Sequence, residues 1–215
     1  MEDAAEGTPA QRTIRETVKH HFAVSACILQ KDARIGKIIG FYSVVFAAHT
    51  LLFFYSQQYF ADLGYNKVQI SVIMLLVGGA SCLGALVSEK MYRWFGKKCL
   101  IPETVIIAGA ILCYGAGKAG VAIAALMCAG FANAALYPIQ SDSLNALIPS
   151  EQRATLISVD SMCFSIVMIV LFPLAGAFAD RWGLKTVLLL LGVILLLFLL
   201  TVFCIEKESF SSDHS

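Results

Sequence analysis

Six stretches of the chain are apolar for long enough to cross a lipid bilayer, and short polar segments separate them. A transmembrane helix needs about 20 consecutive apolar residues, because the hydrocarbon core is about 30 Å thick. The pattern therefore predicts an all-α, polytopic membrane protein with six transmembrane helices, at residues 38–60, 68–87, 100–116, 120–140, 154–179 and 184–205.

The composition supports this interpretation. Of the 215 residues, 58% are hydrophobic and 14% are charged, and the mean hydropathy is +0.75, whereas a soluble domain carries about 25% charge. A net charge of +1 says nothing about an anionic partner, but no segment resembles a nucleic-acid-binding patch, so we expect no nucleic-acid partner. None of the seven cysteines has CxxC spacing, so we expect no metal site and no cofactor. The lipid bilayer is the expected surroundings.

The polar pattern divides the chain into three parts. Residues 1–36 are predicted to form a cytoplasmic linker, residues 37–206 the six-helix transmembrane domain, and residues 207–215 a disordered cytoplasmic tail. Residues 13–35 mix apolar and basic positions, so they form either an amphipathic helix on the membrane surface or a solvated linker. No secretory signal peptide is expected, because residues 1–36 lack an apolar segment near the start.

The basic residues predict the orientation. With the N-terminus in the cytoplasm, twelve of the 16 lysines and arginines lie in inside segments and four lie outside. Cytoplasmic loops are enriched in lysine and arginine. Both termini are therefore predicted to be cytoplasmic.

A charged elbow occurs twice, as GALVSEKMYRWFGKK from Gly84 and as GAFADRWGLKT from Gly176. Three predicted spans separate the two copies, so the elbows lie on opposite faces of the membrane. This indicates two inverted three-helix repeats, a construction that transporters use. We expect the small residues before each elbow to let a neighbouring helix approach closely; they are Gly84, Ala85, Gly176 and Ala177.

The first elbow resembles the loop signature of the major facilitator superfamily, with Glu89 where an aspartate is more usual. The segments SLNALIPSEQRATLISVDSM, FPLAGAFADRWG and FFYSQQYFADLGYN resemble parts of the C-terminal half of bacterial, drug-efflux-like members. The resemblance covers residues 34–205 and matches one half of a twelve-helix fold.

The resemblance implies a secondary transporter that moves a small solute by alternating access. It further implies proton coupling, an outward direction and a bacterial plasma (inner) membrane. Six helices are half of that machine, so the missing N-terminal half or a second copy in a homodimer is the expected partner. The alternative is a non-transporting membrane subunit or a truncated remnant. An intramembrane enzyme is not predicted, because no nucleophile pair or metal set occurs at helical spacing.

Polar residues inside the predicted spans are the candidate site, since such groups are costly in hydrocarbon. One face of the fourth span carries Asn133, Tyr137 and Gln140. These residues either form a wall that contacts solute or hold neighbouring helices together through hydrogen bonds. His49 and Gln57 share a face of the first span. His49 either titrates near physiological pH or packs as a neutral residue, and Gln57 contacts solute or marks the outer interface.

Charged residues form the second candidate set. Asp160 lies roughly 10 Å inside the fifth span. It is predicted to exchange a proton or hold a cationic solute, or else to serve as a structural partner. A loop network with a conformational or gating role is predicted for Glu89, Arg93, Lys97, Lys98, Asp142 and Arg153. Glu103 is predicted to be structural, at a helix N-terminus that favours a carboxylate.

Overall fold

The computed structural model describes residues 33–96, 100–114, 118–147, 150 and 153–212. Six helices make up these residues: α1 Ala33–Asp62, α2 Lys67–Phe95, α3 Leu100–Cys113, α4 Ala119–Asn145, α5 Arg153–Trp182 and α6 Leu184–Ser212. By length and composition, five of them are able to cross a membrane, and α3 is the shorter sixth. The all-α class and the order of the apolar segments agree with the sequence.

The third predicted span, residues 100–116, is described only as far as Tyr114. Helix α3 has 14 residues, which at 1.5 Å per residue cover about 21 Å. The hydrocarbon core is about 30 Å thick. The described part of α3 is therefore shorter than the hydrocarbon core, and residues 97–99 and 115–117 on either side of it lie outside the described residues.

The predicted linkers are partly helical. Helix α2 continues beyond residue 87 to Phe95, where Gly96 follows at a φ of 56°, a backbone conformation that glycine adopts readily. Glu89, Lys90 and Arg93 of the first elbow therefore stand on a helix. The segments 141–145 and 180–182, which were predicted to be linkers, belong to α4 and α5. Serine, glutamate and lysine are tolerated in helices, so α2 continues past its apolar run through Ser88, Glu89 and Lys90.

The helices at both ends reach beyond the predicted transmembrane domain of residues 37–206. Helix α1 begins at Ala33, inside the predicted linker, and α6 extends to Ser212. Residues 207–212, for which the sequence predicts a disordered tail, belong to α6, and Glu206, Lys207 and Glu208 are good helix formers. Most of the predicted amphipathic segment at 13–35 lies outside the described residues.

Helix α2 packs most extensively against α4, and their contact depends on small residues. A Cβ atom on Gly84 would collide with the carbonyl oxygen of Phe131, so only glycine permits this approach. The hydroxyl of Ser88 donates a hydrogen bond of 2.7 Å to the carbonyl oxygen of Ala135 in the same interface. The close approach predicted at Gly84 is confirmed.

The equivalent contact of the second elbow joins α5 to α1. A Cβ atom on Gly176 would lie 3.1 Å from the hydroxyl oxygen of Tyr55, so Gly176 also faces a neighbouring helix closely. The neighbouring residues Ala85 and Ala177 are exposed. The prediction of close packing is wrong for these two alanines. Successive side chains of a helix are rotated by about 100°, so the residue after each glycine points away from the neighbouring helix.

Helices α1, α3 and α6 meet around Tyr59 near the end of α1. Tyr59 is 2% exposed, its hydroxyl donates a hydrogen bond of 3.1 Å to the carbonyl oxygen of Tyr114, and Lys185 Nζ lies 5.9 Å from its ring centroid. This cluster connects three helices at one end of the bundle.

Replacing Tyr59 with Phe is expected to destabilise the protein by about 1 kcal/mol, because the buried Tyr114 carbonyl loses its donor. Thermal unfolding in detergent measures the effect. Tyr65→Phe is the matched control, since Tyr65 is half-buried beside the same cluster. Equal melting temperatures for the two variants would contradict the role of the hydrogen bond.

Candidate functional site

A cleft of about 410 Å³ opens between α1, α2 and α4. Its wall is mostly apolar and contains no charged side chain; the lining residues are His49, Thr50, Phe53, Met74, Val77, Gly78, Ser81 and Asn133. Binding sites for small molecules are concave and mainly apolar, with a few polar groups that fix orientation. The cleft has this character.

Two polar atoms of the cleft residues are buried without a hydrogen-bond partner among the described residues. They are His49 Nε2 and the side-chain oxygen of Asn133. An unsatisfied buried polar group costs about 1–3 kcal/mol, so native proteins rarely keep one without a functional reason. Both residues line the cleft, but these two atoms are themselves buried, so a hydrogen bond to a molecule in the cleft requires the side chains to turn.

The structure separates the three residues predicted to share one face of the fourth span. Asn133 lines the cleft. Tyr137 is 60% exposed, and its ring centroid lies 5.8 Å from that of Phe46. Gln140 is 1% exposed and does not line the cleft. Along this face of α4, Asn133 therefore lies at the cleft and Gln140 lies at a contact with a neighbouring helix.

Gln140 connects α4 to Asp160 on α5. Its Nε2 donates a hydrogen bond of 3.0 Å to Asp160 Oδ1. An apolar cluster from α1, α4 and α5 lies beside this pair, and its members are Ile35, Ile39, Leu144, Leu156 and Val159. The half-buried Asp160 is thus held between helices.

On the first span, His49 lines the cleft, and Gln57 is exposed outside it. Thr50, Met74 and Ser81 also line the cleft, although the sequence did not single them out. Threonine, methionine and serine are common in membrane helices, and their spacing carries no signal beyond that of the helix.

The predicted loop network is described only in part. Arg93 Nε lies 3.8 Å from Glu89 Oε1, and both side chains are largely exposed. Lys97 and Lys98 lie outside the described residues. Asp142 and Arg153 are exposed, and within the described part of the chain no ion pair joins them.

Glu103 is buried more deeply than its predicted place at a helix start suggests. It is 1% exposed, and neither carboxyl oxygen has a hydrogen-bond partner among the described residues. An ionisable residue in this position is typical of a functional group in a membrane protein. The sequence signal was present, because Glu103 is an acid inside an apolar segment.

The sequence model of the Major Facilitator Superfamily matches residues 104–213, just over half of the chain, and the chain belongs to that superfamily. The match runs from α3 to α6. The chain is therefore a multi-pass membrane protein from a family of transporters rather than enzymes. Comparisons with curated proteins and with solved structures found no match.

Proposed function

We propose that this chain moves a small solute across the membrane by alternating access, with the cleft between α1, α2 and α4 as the solute site. The observation that carries the proposal is a mostly apolar cleft lined by two polar residues, His49 and Asn133. Each has a buried atom, His49 Nε2 and the Asn133 side-chain oxygen, with no hydrogen-bond partner among the described residues. The solute would be uncharged where it meets this wall and able to form hydrogen bonds, because no cleft residue offers a counter-charge.

The proposed architecture is half of a transporter built from two inverted three-helix units. Its support is the packing pattern, in which α2 contacts α4 and α5 contacts α1. Gly84 and Gly176 make corresponding close contacts in these two pairs. The other half would be an N-terminal six-helix body or a second copy of the chain. A non-transporting subunit is not favoured, because the superfamily match indicates transport.

The remaining features of the proposal concern energy coupling and location. Asp160 would exchange a proton as access alternates, and its hydrogen bond to Gln140 would report the change to α4. Tyr137 and Gln57, both exposed, would meet solute outside the cleft. We propose efflux across a bacterial plasma membrane with cytoplasmic termini, supported by the sequence resemblance and by the distribution of lysine and arginine.

Replacing Asn133 with Leu is expected to weaken solute binding about tenfold, the effect of one hydrogen bond of about 1.4 kcal/mol. The probes come from a panel of uncharged aromatic amphiphiles. Those that bind are identified by the shift that they cause in the melting temperature of the protein. His49→Phe should weaken the binding of the same compounds. Asn145→Leu is the matched control, because Asn145 lies on the same helix outside the cleft. Unchanged affinity in the Asn133 variant would contradict the proposed site.

A further inference from the structure

One face of α2 is exposed along the whole helix, and its chemistry changes near the C-terminal end. The first part of the face is apolar and consists of Val68, Val72, Leu75, Leu76, Leu83 and Leu86. Lys90, Arg93 and Trp94 continue the same face one turn further on. The buried residues of α2, among them Val77 and Gly84, lie on the opposite side, towards α4.

The length of the apolar part matches a bilayer. From Val68 to Leu86 the helix rises about 27 Å at about 1.5 Å per residue, and the hydrocarbon core is about 30 Å thick. Lys90, Arg93 and Trp94 therefore stand at the depth of the lipid headgroups. Long basic side chains extend to that depth while their aliphatic stems cover apolar surface.

The side chains at this depth are free to meet a headgroup. Trp94 is 77% exposed, and the Arg93 side chain is 64% exposed although it lies 3.8 Å from Glu89. Lys90 is exposed as well. The sequence adds Lys97 and Lys98 directly after the helix, so Glu89 is the single acid among five charged residues from 89 to 98.

The corresponding end of α5 provides a contrast. Trp182 is 52% exposed and stacks on Phe178 with ring centroids 5.0 Å apart. Its charged neighbours in sequence are Asp180, Arg181 and Lys185. Two cations and one anion give this end a smaller positive charge than the four cations and one anion at the end of α2.

We propose that the end of α2 binds the phosphate of an anionic phospholipid through Lys90 and Arg93, with Trp94 beside the headgroup. The occupant is an anionic lipid rather than a zwitterionic one, because a zwitterionic headgroup brings a cation that these side chains repel. Basic residues near a membrane surface attract anionic lipid, each contributing to the affinity. This inference does not depend on the proposed transport function.

The two tryptophans of the chain make the test specific. The full chain is reconstituted into vesicles of phosphatidylcholine with a minor fraction of phosphatidylglycerol, and either lipid carries bromine on its acyl chains as a fluorescence quencher. Trp182→Phe leaves Trp94 as the reporter, and Trp94→Phe leaves Trp182. Per mole of brominated lipid, phosphatidylglycerol should quench Trp94 about twofold or more better than phosphatidylcholine.

The preference should disappear in a Lys90→Gln, Arg93→Gln double variant and should decrease at high salt. Arg181→Gln is the matched control and should leave the preference at Trp94 unchanged. Because Lys90 and Arg93 are exposed, circular dichroism should show unchanged helix content in the double variant.

Three results would overturn the proposal. Equal quenching of Trp94 by the two lipids would mean that the site does not select charge. An equal preference at Trp182 would mean a general attraction to the chain. Protection of Trp94 from both lipids would mean that a protein surface, such as a second copy, covers this face.

Discussion

Replacing Gly84 with Ala is expected to push α2 away from α4 and to destabilise the bundle by about 1–3 kcal/mol, the usual cost of overpacking. The added Cβ atom collides with a backbone carbonyl, that of Phe131, which has no rotamer by which to give way. The hydrogen bond from Ser88 to Ala135 lies one turn further along the same interface and should lengthen as the helices separate.

Thermal unfolding in detergent, followed by tryptophan fluorescence, measures this effect. Gly79→Ala is the matched control on the same helix, because a Cβ atom there would meet nothing within 4 Å. Alanine is the better helix former, by about 1 kcal/mol, so the control should be neutral or stabilising. If both variants melt at the wild-type temperature, α2 and α4 are not held together at Gly84.

Replacing Asp160 with Asn is expected to abolish solute movement driven by a pH gradient and to leave solute exchange without a gradient largely intact. Asparagine has nearly the shape of aspartate, and its side-chain oxygen still accepts the hydrogen bond from Gln140, but it binds no exchangeable proton. The structure between α4 and α5 is therefore preserved while the coupling is lost.

Solute flux into vesicles measures this second prediction. The vesicles contain the chain together with the partner half that co-purifies with it. Asp142→Asn is the matched control, because Asp142 is an exposed acid at the end of α4. Gradient-driven flux at the wild-type rate in the Asp160 variant would show that another group carries the proton. Glu103, buried without a hydrogen-bond partner among the described residues, would then be tested by Glu103→Gln.

Within the described residues, the apolar pattern predicted the six helices in the right order, and five of them are long and apolar enough to cross a bilayer. It did not predict where the helices end. Helix α2 continues past its apolar residues through Glu89 and Arg93, because these residues favour helix. It ends only where Gly96 follows, since glycine commonly terminates a helix.

The candidate site could be predicted as a set of polar residues, but not as an arrangement. Asn133 and Gln140 share a helix face, yet they are about 10 Å apart along the axis. Neighbouring helices cross at an angle, so one residue meets the cleft and the other meets Asp160. The periodicity of a sequence shows which residues share a helix face. It does not show which neighbouring helix covers each part of that face, because that depends on long-range packing.

The short length of α3 affects how the protein fits its membrane. Ile101, Val105 and Ile106 are exposed on this helix. The described part of α3 is about 21 Å long, and the exposed apolar face of α2 from Val68 to Leu86 is about 27 Å long. Hydrophobic mismatch of this kind costs fractions of a kcal/mol per Å and is relieved by tilting or by thinning of the bilayer. In a bilayer matched to α2, we therefore expect the lipid beside the described part of α3 to be thinner, so that the length of the acyl chains affects the stability of the bundle.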